Sequence, residues 1–136
     1  MGMRIANTTP AEIALTGMVA QSTRMKAISN NIANANNTGD GTSGPYARMD
    51  VQLAATDEEL GGVDVVKLFR DRTSEFRRVL EPGHPAADGE GWVQYPNVQI
   101  PQEMMRMMLA SRAYQANAAV LKRQQDISNT ALELLR

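Results

Sequence analysis

The chain of 136 residues contains no cysteine and a single histidine, His84. Without cysteine it has no disulfide framework and no thiol chemistry, so it suits a reducing or an oxidising compartment. His84 lies between Gly83 and Pro85, in a segment typical of a turn, and neither a nucleophile nor a set of metal ligands accompanies it. The sequence therefore predicts no catalytic residue, no metal site and no cofactor site.

An excess of charge of one sign is also missing, since 14 lysines and arginines face 15 aspartates and glutamates. This balance provides no electrostatic footprint for nucleic acid. No apolar run is long enough to span a bilayer, and polar residues interrupt Met1–Ala20, where a cleaved signal peptide needs an apolar core. We expect neither nucleic-acid binding nor membrane insertion. We interpret the one basic cluster as a charged strand edge: Arg70, Arg72, Arg77 and Arg78.

Aromatic residues are scarce, with two phenylalanines, three tyrosines and one tryptophan, and alanine and methionine supply much of the apolar content. Alanine buries little area, and apolar burial contributes only about 25 cal/mol per Å². We therefore expect a single subunit to be marginally stable and to be stabilised by packing against other chains.

The C-terminal segment, 100–136, contains neither glycine nor proline after Pro101. Pro101 and Glu103 suit the first turn of a helix, which we predict to continue to about Leu135. Its small, apolar and polar residues alternate in steps of four and three, the spacing that keeps one stripe toward a partner helix. The predicted stripe consists of Ile100, Met104, Met107, Ser111, Tyr114, Ala118, Leu121, Gln125, Ser128, Leu132 and Leu135.

The N-terminal segment, 1–35, carries a second helix signal. Thr9, Pro10 and Glu12 form a capping box with proline at the first helical position. We predict a helix from there to about Ala33, before a run rich in asparagine and glycine. Its weaker stripe consists of Ala11, Ala14, Met18, Gln21, Met25, Ile28 and Ile32.

The middle segment, 36–99, contains short runs with β-branched residues and partial alternation, separated by turn residues. The chain leaves one helix and returns into the other through this segment, which favours antiparallel pairing of the helices. The predicted fold is mainly α with a small β or irregular middle, and its terminal helices pair as an antiparallel, coiled-coil-like layer. The candidate strands are Met49–Thr56, Gly62–Arg70, Thr73–Leu80 and Trp92–Tyr95, with the acidic run Asp57, Glu58 and Glu59 between the first two.

We expect the helices to carry the functional surface, which is subunit packing. Met104 and Met107 should face the chain's own N-terminal helix, while Met105 and Met108 contact adjacent subunits. Arg112 should pair with a carboxylate or carbonyl group of a neighbour. The complete set of predicted packing residues is Met18, Met25, Ile28, Ile32, Met104, Met105, Met107, Met108, Arg112, Tyr114, Leu121 and Leu132.

Several segments carry a family resemblance. Ser29–Asn36 resembles the asparagine-rich motif shared by axial proteins of the bacterial flagellum. More specific are Glu81–Asp88, Gly91–Val93, Tyr95–Val98, Glu103–Met105 and Ala110–Asn117. Together they resemble flagellar basal-body rod proteins of the FlgC type, over nearly the whole chain from about Ala11. The motif residues are Asn30, Asn31, Asn34, Pro82, Gly83, Pro85, Asp88, Pro96 and Asn97.

The resemblance implies a structural subunit of the proximal rod, without enzymatic activity. It implies terminal helices that form the inner layer of a hollow tube, which crosses the periplasm and transmits torque from motor to hook. The implied partners are copies of the chain, other flagellar rod proteins and the flagellar type III export apparatus. Two alternatives remain: a different rod or hook-associated subunit, or a small helical dimerising enzyme or ligand-binding domain.

Overall fold

The computed structural model describes residues 9–56 and 61–135. The elements follow the predicted order, with two long helices flanking four short strands. The predicted acidic run Asp57, Glu58 and Glu59 lies outside the described residues. The elements are α1 (Pro10–Ala33), β1 (Met49–Ala55), β2 (Val63–Arg70), β3 (Arg77–Leu80), β4 (Trp92–Tyr95) and α2 (Ile100–Leu134).

The helix α1 begins at the predicted capping box. The Thr9 backbone N–H donates to Glu12 Oε2 at 2.7 Å, and Thr9 Oγ1 accepts from the Glu12 backbone N–H at 3.3 Å. These two bonds satisfy donors that a helix start otherwise leaves without a partner. The predicted bounds of α1 are confirmed, and α2 begins one residue earlier than predicted.

The middle segment forms two separate antiparallel pairs, β1 with β2 and β3 with β4. The third predicted strand is wrong at its start, because β3 begins at Arg77 instead of Thr73. Asp71 Oδ1 accepts from the backbone N–H groups of Thr73 and Ser74, at 3.0 and 3.1 Å. This local bonding holds residues 71–74 in a turn and competes with a strand ladder.

The two helices pack against each other in opposite directions. Gly17 of α1 lies beside Asn117 of α2, whereas Asn31 near the end of α1 is bonded to Glu103 near the start of α2. The hairpin of β1 and β2 lies along α1, where the Val63 backbone N–H donates to Thr16 Oγ1 at 3.1 Å. Within the described residues, neither helix is long and apolar enough to cross a membrane.

The predicted stripe of α2 coincides with the less exposed face only in its central part. Ile100 and Met104 were expected at the partner-facing side, but they are exposed, Met104 by 60%. Glu103 and Ala110 are buried, and the half-buried positions of α2 are Met107, Ser111, Ala113, Tyr114, Asn117, Ala118, Leu121 and Gln124. The five central residues of the predicted stripe, from Met107 to Leu121, are therefore on the less exposed face, whereas the two before them and the four after them are exposed.

Small side chains on α1 let the two helices approach closely. The buried positions of α1 include Ala14, Gly17, Ala20 and Ala27. A Cβ atom built at Gly17 would lie 2.5 Å from Asn117 Nδ2, so the helices approach closely there. Such a narrow contact accommodates alanine and asparagine on α2, and it leaves most of the bulky methionines outside.

Candidate assembly interface

A buried carboxylate joins the two helices to the middle segment. Glu103 is 1% exposed. Its Oε1 accepts from Arg48 Nε at 2.7 Å, and its Oε2 accepts from Asn31 Nδ2 at 2.9 Å. Hydrogen bonds with an ionised partner are among the strongest in proteins, and here they connect α1, α2 and the residue before β1. We call Asn31, Arg48 and Glu103 the polar junction.

Asn31 also acts as a pairing partner for β1. Its Nδ2 donates to the Met49 carbonyl at 2.8 Å, and its Oδ1 accepts from the Met49 backbone N–H at 2.7 Å. The same Oδ1 accepts from the Tyr46 hydroxyl at 3.0 Å. A fully buried amide with this many bonds fixes the position of β1 against α1, since any displacement leaves polar groups unsatisfied.

Two arginines, Arg48 and Arg106, contact the same two carboxylates at the junction. Arg48 Nη2 bonds Asp50 at 2.9 Å, and Arg106 Nη1 lies 3.5 Å from Asp50 and 3.7 Å from Glu103. Burial opposes the charge on Arg48, but the bond to Glu103 and the attraction of both carboxylates raise its pKa above the usual value. Burial also raises the pKa of Tyr46. The junction therefore holds its guanidinium firmly in the charged form.

Asn97 extends this network to the start of α2. Its Oδ1 accepts from the Arg48 backbone N–H at 2.8 Å, and its Nδ2 donates to the Asp71 carbonyl at 2.8 Å. Pro96 beside it is buried. The motif residues Asn31, Pro96 and Asn97 are thus brought to one region, where they fix how the chain enters α2.

The other motif residues build turns at separate places. Asp88 Oδ1 accepts from the Trp92 and Glu90 backbone N–H groups at 2.8 and 3.0 Å, which lowers the Asp88 pKa. Pro82 packs beside Gly91, where the backbone has φ +83° and an added Cβ atom would lie 3.0 Å from Pro82.

In the same turn, the Ala86 backbone N–H donates to His84 Nδ1 at 3.0 Å. Asn34 Nδ2 donates to the Asn30 carbonyl at 2.9 Å, at the end of α1. Pro82, Gly83, Pro85 and Asp88 therefore shape one turn, while Asn30 and Asn34 end the first helix.

The predicted packing residues fall into two groups. Ile28 is buried, and Met18, Met25, Ile32, Met107, Tyr114 and Leu121 are half-buried. The others are exposed: Met104, Met105, Met108, Arg112 and Leu132. The expectation that Met104 faces the chain's own N-terminal helix is therefore wrong, because α1 contacts the Glu103 side of α2.

The exposed group forms an apolar outer face on α2. Met104, Met105, Met108 and Leu109 are between 55% and 60% exposed. Beyond Gln124 every described helical position is exposed, which includes Leu132 at 66%. Contiguous exposed apolar surface of this kind marks an interaction site, and methionine adapts to varied neighbours.

The basic cluster has partners that the sequence did not reveal. The guanidinium groups of Arg70, Arg77 and Arg78 lie 5.2, 4.9 and 5.4 Å from the ring centres of three aromatic residues, Tyr46, Tyr95 and Trp92 respectively. Cations attract the faces of aromatic rings at this range. These arginines therefore stabilise the middle segment itself.

Arg48 and Glu103 were missed as junction residues by sequence reasoning. Glu103 was assigned to the first turn of the helix and to the family resemblance, although it is in step with Met107 and Ala110 on the less exposed face. A carboxylate in register with core positions was the signal that could have identified it. Among the described residues no group of three or more histidines and carboxylates is placed to hold a metal ion.

Two paired helices with an unpartnered apolar face, joined to a small β middle, define a structural assembly subunit. Residues 12–39 match the family model of the flagella basal body rod protein, and residues 90–134 match that of the flagellar basal body rod FlgEFG protein C-terminal. The class is therefore that of flagellar rod proteins. Curated relatives define the family more narrowly.

The chain is 40% identical over 131 residues to the flagellar basal-body rod protein FlgC of Agrobacterium fabrum, covering 93% of each chain. It is 39% identical over 113 residues to the FlgC of Salmonella typhimurium, covering 81% of this chain and 84% of the relative. It is 33% identical over 144 residues to the FlgC of Borreliella burgdorferi, covering 91% and 94%. The chain belongs to the FlgC family of flagellar basal-body rod proteins, a structural family of the bacterial flagellum.

Proposed function

We propose that this chain, a structural subunit of the proximal rod, assembles through α1 and α2 into a hollow tube that transmits torque from the motor to the hook. The observation that carries the proposal is the apolar outer face of α2. Met105 and Met108 are exposed although α2 is already paired with α1. A subunit gains nothing in solution from a second apolar stripe, whereas an assembled tube buries it.

Within each subunit, α1 and α2 act as a coiled-coil-like layer. The buried and half-buried positions of α2 between Glu103 and Gln124 include a series in steps of four and three, which is the spacing of such layers. The terminal segments 1–35 and 100–136 would form the inner part of the tube, and the middle segment 36–99 would lie outside it.

Contacts between subunits are heterologous in this proposal, because a tube needs one surface to meet a different surface on the next copy. Met104, Met105, Met108 and Leu132 would contact adjacent copies or other rod proteins. Arg112 is exposed and has no carboxylate within 4.0 Å among the described residues, which supports a partner on a neighbour.

Assembly outside the cytoplasm also requires transport, and we propose the flagellar type III export apparatus as the route. A chain without disulfides whose helices are stabilised by neighbours suits passage in an unfolded form. Cell fractionation tests this route: a strain with an inactive export apparatus should retain the chain in the cytoplasm, and periplasmic accumulation there would contradict it. No enzymatic role is proposed.

The exposed methionines provide the test of assembly. Met108→Asp should leave the purified subunit folded, because a carboxylate at a solvent-facing position keeps its hydration. In the tube the same carboxylate would be buried against an apolar neighbour at a cost of several kcal/mol. We therefore expect loss of swimming and loss of the variant from purified basal bodies.

Val66→Asp is the matched control, since Val66 is exposed to a similar extent, 57% against 55%, and lies on β2 in the middle segment. Swimming should persist in this control. Full motility of Met108→Asp, with normal amounts of the variant in basal bodies, would refute assembly through the outer face of α2.

A further inference from the structure

A groove lies between α1, α2 and β1, next to the polar junction. Its volume is about 450 Å³, and Ala27, Ile28, Ala110 and Ala113 contribute its apolar lining. Arg24 and Arg106 line the same groove. An apolar cavity with a few polar groups is the usual form of a binding site for a side chain or ligand.

The groove has an unmatched positive charge. Arg48 and Arg106 share the carboxylates of Asp50 and Glu103. Arg24 has no carboxylate within 4.0 Å among the described residues. An occupant that supplies a carboxylate would therefore complete the charge balance of the groove.

The groove also contains an acceptor without a donor. Gln21 Oε1 is buried and has no hydrogen-bond partner among the described residues. Leaving a buried acceptor unsatisfied costs about 1–3 kcal/mol. An occupant that brings an N–H or O–H donor together with its carboxylate and an apolar side chain would satisfy this acceptor once the Gln21 amide turns toward the groove.

One exposed segment of this chain has all three properties. At the end of α2, residues 125–134 include the Asp126 carboxylate and the Asn129 amide, three positions apart on one face of the helix, with the apolar side chain of Leu134 at the edge of that face, and all three are exposed. The segment also contains Glu133, and it has neither lysine nor arginine. Its charge and chemistry complement those of the groove.

A chain cannot fill its own groove with this segment. Asp126 follows Ala110 by 16 positions on the same helix, which corresponds to about 24 Å at 1.5 Å per residue. No glycine or proline interrupts the helix between them, so it cannot fold back. The segment can reach such a groove only on another copy, displaced along the helix direction.

We infer that the end of α2, residues 125–134, docks in the groove of an adjacent copy, with Asp126 paired to Arg24. This inference rests on the proposed assembly and specifies one contact within it. The contact is heterologous, because the end of one helix meets the middle of the next pair, and it therefore extends a tube instead of closing a dimer.

Engineered disulfides test the contact in purified basal bodies, and the absence of native cysteine makes the result specific. A chain carrying Arg24→Cys and Asp126→Cys should form covalent multimers of itself on oxidation. The matched control is Arg24→Cys with Ser128→Cys, since residue 128 lies about 200° around the helix from residue 126. Equal cross-linking of both pairs, or no multimers from the first, would overturn the inference.

Charge reversal gives an independent measurement. Arg24→Glu and Asp126→Arg should each abolish swimming, and the double variant should restore it. Circular dichroism of each purified variant checks that it is folded. Two variants that swim normally, or a double variant that fails while folded, would contradict the pairing.

Photo-cross-linking from a photo-reactive side chain in place of Arg24 tests the identity of the occupant in purified basal bodies. A cross-linked product that contains a second copy of this chain supports the inference, and a cross-linked product with a different rod protein overturns it. Either product would still agree with the proposed function, because the chain is then part of the rod. Absence of the chain from basal bodies would instead contradict the proposed function.

Discussion

Individual polar residues determine how the helices meet the middle segment. Asn31 and Glu103 are separated by 72 positions in the chain, yet a 2.9 Å bond joins them with almost no exposure. Burying a carboxylate is unfavourable unless its charge and its hydrogen bonds are compensated. Arg48 and Asn31 provide that compensation, so we interpret the junction as a determinant of geometry more than of stability.

The first prediction concerns Glu103→Gln. The substituted amide would direct an NH₂ group at a donor, either Asn31 Nδ2 or Arg48 Nε, and it would remove the carboxylate nearest Arg48. Breaking a buried pair in this way costs on the order of 3 kcal/mol. Urea unfolding of the purified subunit measures the loss. Glu133→Gln, at an exposed position of the same helix, is the control, and equal effects of the two would contradict the prediction.

The second prediction concerns the pH dependence at Asp71. Hydrogen bonds from the side chain and backbone of Ser74, together with those from Thr73, hold the Asp71 pKa below its usual range. A carboxylate with a lowered folded pKa stabilises the fold above its unfolded pKa of about 3.9, and this contribution decreases as the pH falls further.

Wild type should therefore be more stable than Asp71→Asn at neutral pH, and the difference should decrease below about pH 4. Unfolding curves of both proteins at several pH values provide the measurement. A difference that increases toward acidic pH would show that the sign is wrong.

At the scale of elements, the sequence predicted the bounds of both helices well, because capping residues, proline and the absence of breakers are local signals. It located only the central part of the α2 stripe. The apolar pattern also included Met104 and Leu132, which are exposed, and it omitted Glu103 and Ala110, which are the buried residues of α2. A pattern of apolar residues does not distinguish a face used within a subunit from one that remains exposed.

The candidate site was only partly predictable, because its contacts join residues that are distant in the sequence. The resemblance identified Asn31 and Asn97 but did not indicate which groups they contact, and no local sequence pattern marks their partner Arg48. The start of β3 was missed because the bonds of Asp71 to Thr73 and Ser74 override a strand-like pattern.

The third prediction tests the close contact of the helices. Gly17→Leu would place a side chain where Asn117 now lies, so the helices would have to separate, with a cost of about 1–3 kcal/mol. Thermal unfolding monitored by circular dichroism measures it. Ser29→Leu, at an exposed position of α1, introduces the same residue without the clash, and it should be near neutral.

At the scale of the whole molecule, α2 continues beyond the part of α1 that the structure describes. The positions from 125 to 134 are all exposed, whereas Ala110 is buried and Asn117 is half-buried. Isolated helical ends without tertiary contacts are only marginally stable in water. We therefore expect the end of α2, residues 125–134, to be less stable than the part of α2 that contacts α1.

The fourth prediction follows from this difference in stability. In the purified subunit, backbone amides of 125–134 should exchange hydrogen faster than those of 106–117 by at least about tenfold, equivalent to about 1.4 kcal/mol. In purified basal bodies the difference should largely disappear. Strong protection of 125–134 in the free subunit would contradict this expectation.

The aspartate-bonded turns have a consequence for the order of folding. Asp40, Asp71 and Asp88 each accept hydrogen bonds from groups two to four residues later in the chain. Contacts between near neighbours in sequence form quickly, whereas the bond between Asn31 and Glu103 must first close a long loop. A chain that emerges from a narrow channel would then form its middle early, and the pairing of its two ends would be the slow step, available for capture by the growing structure.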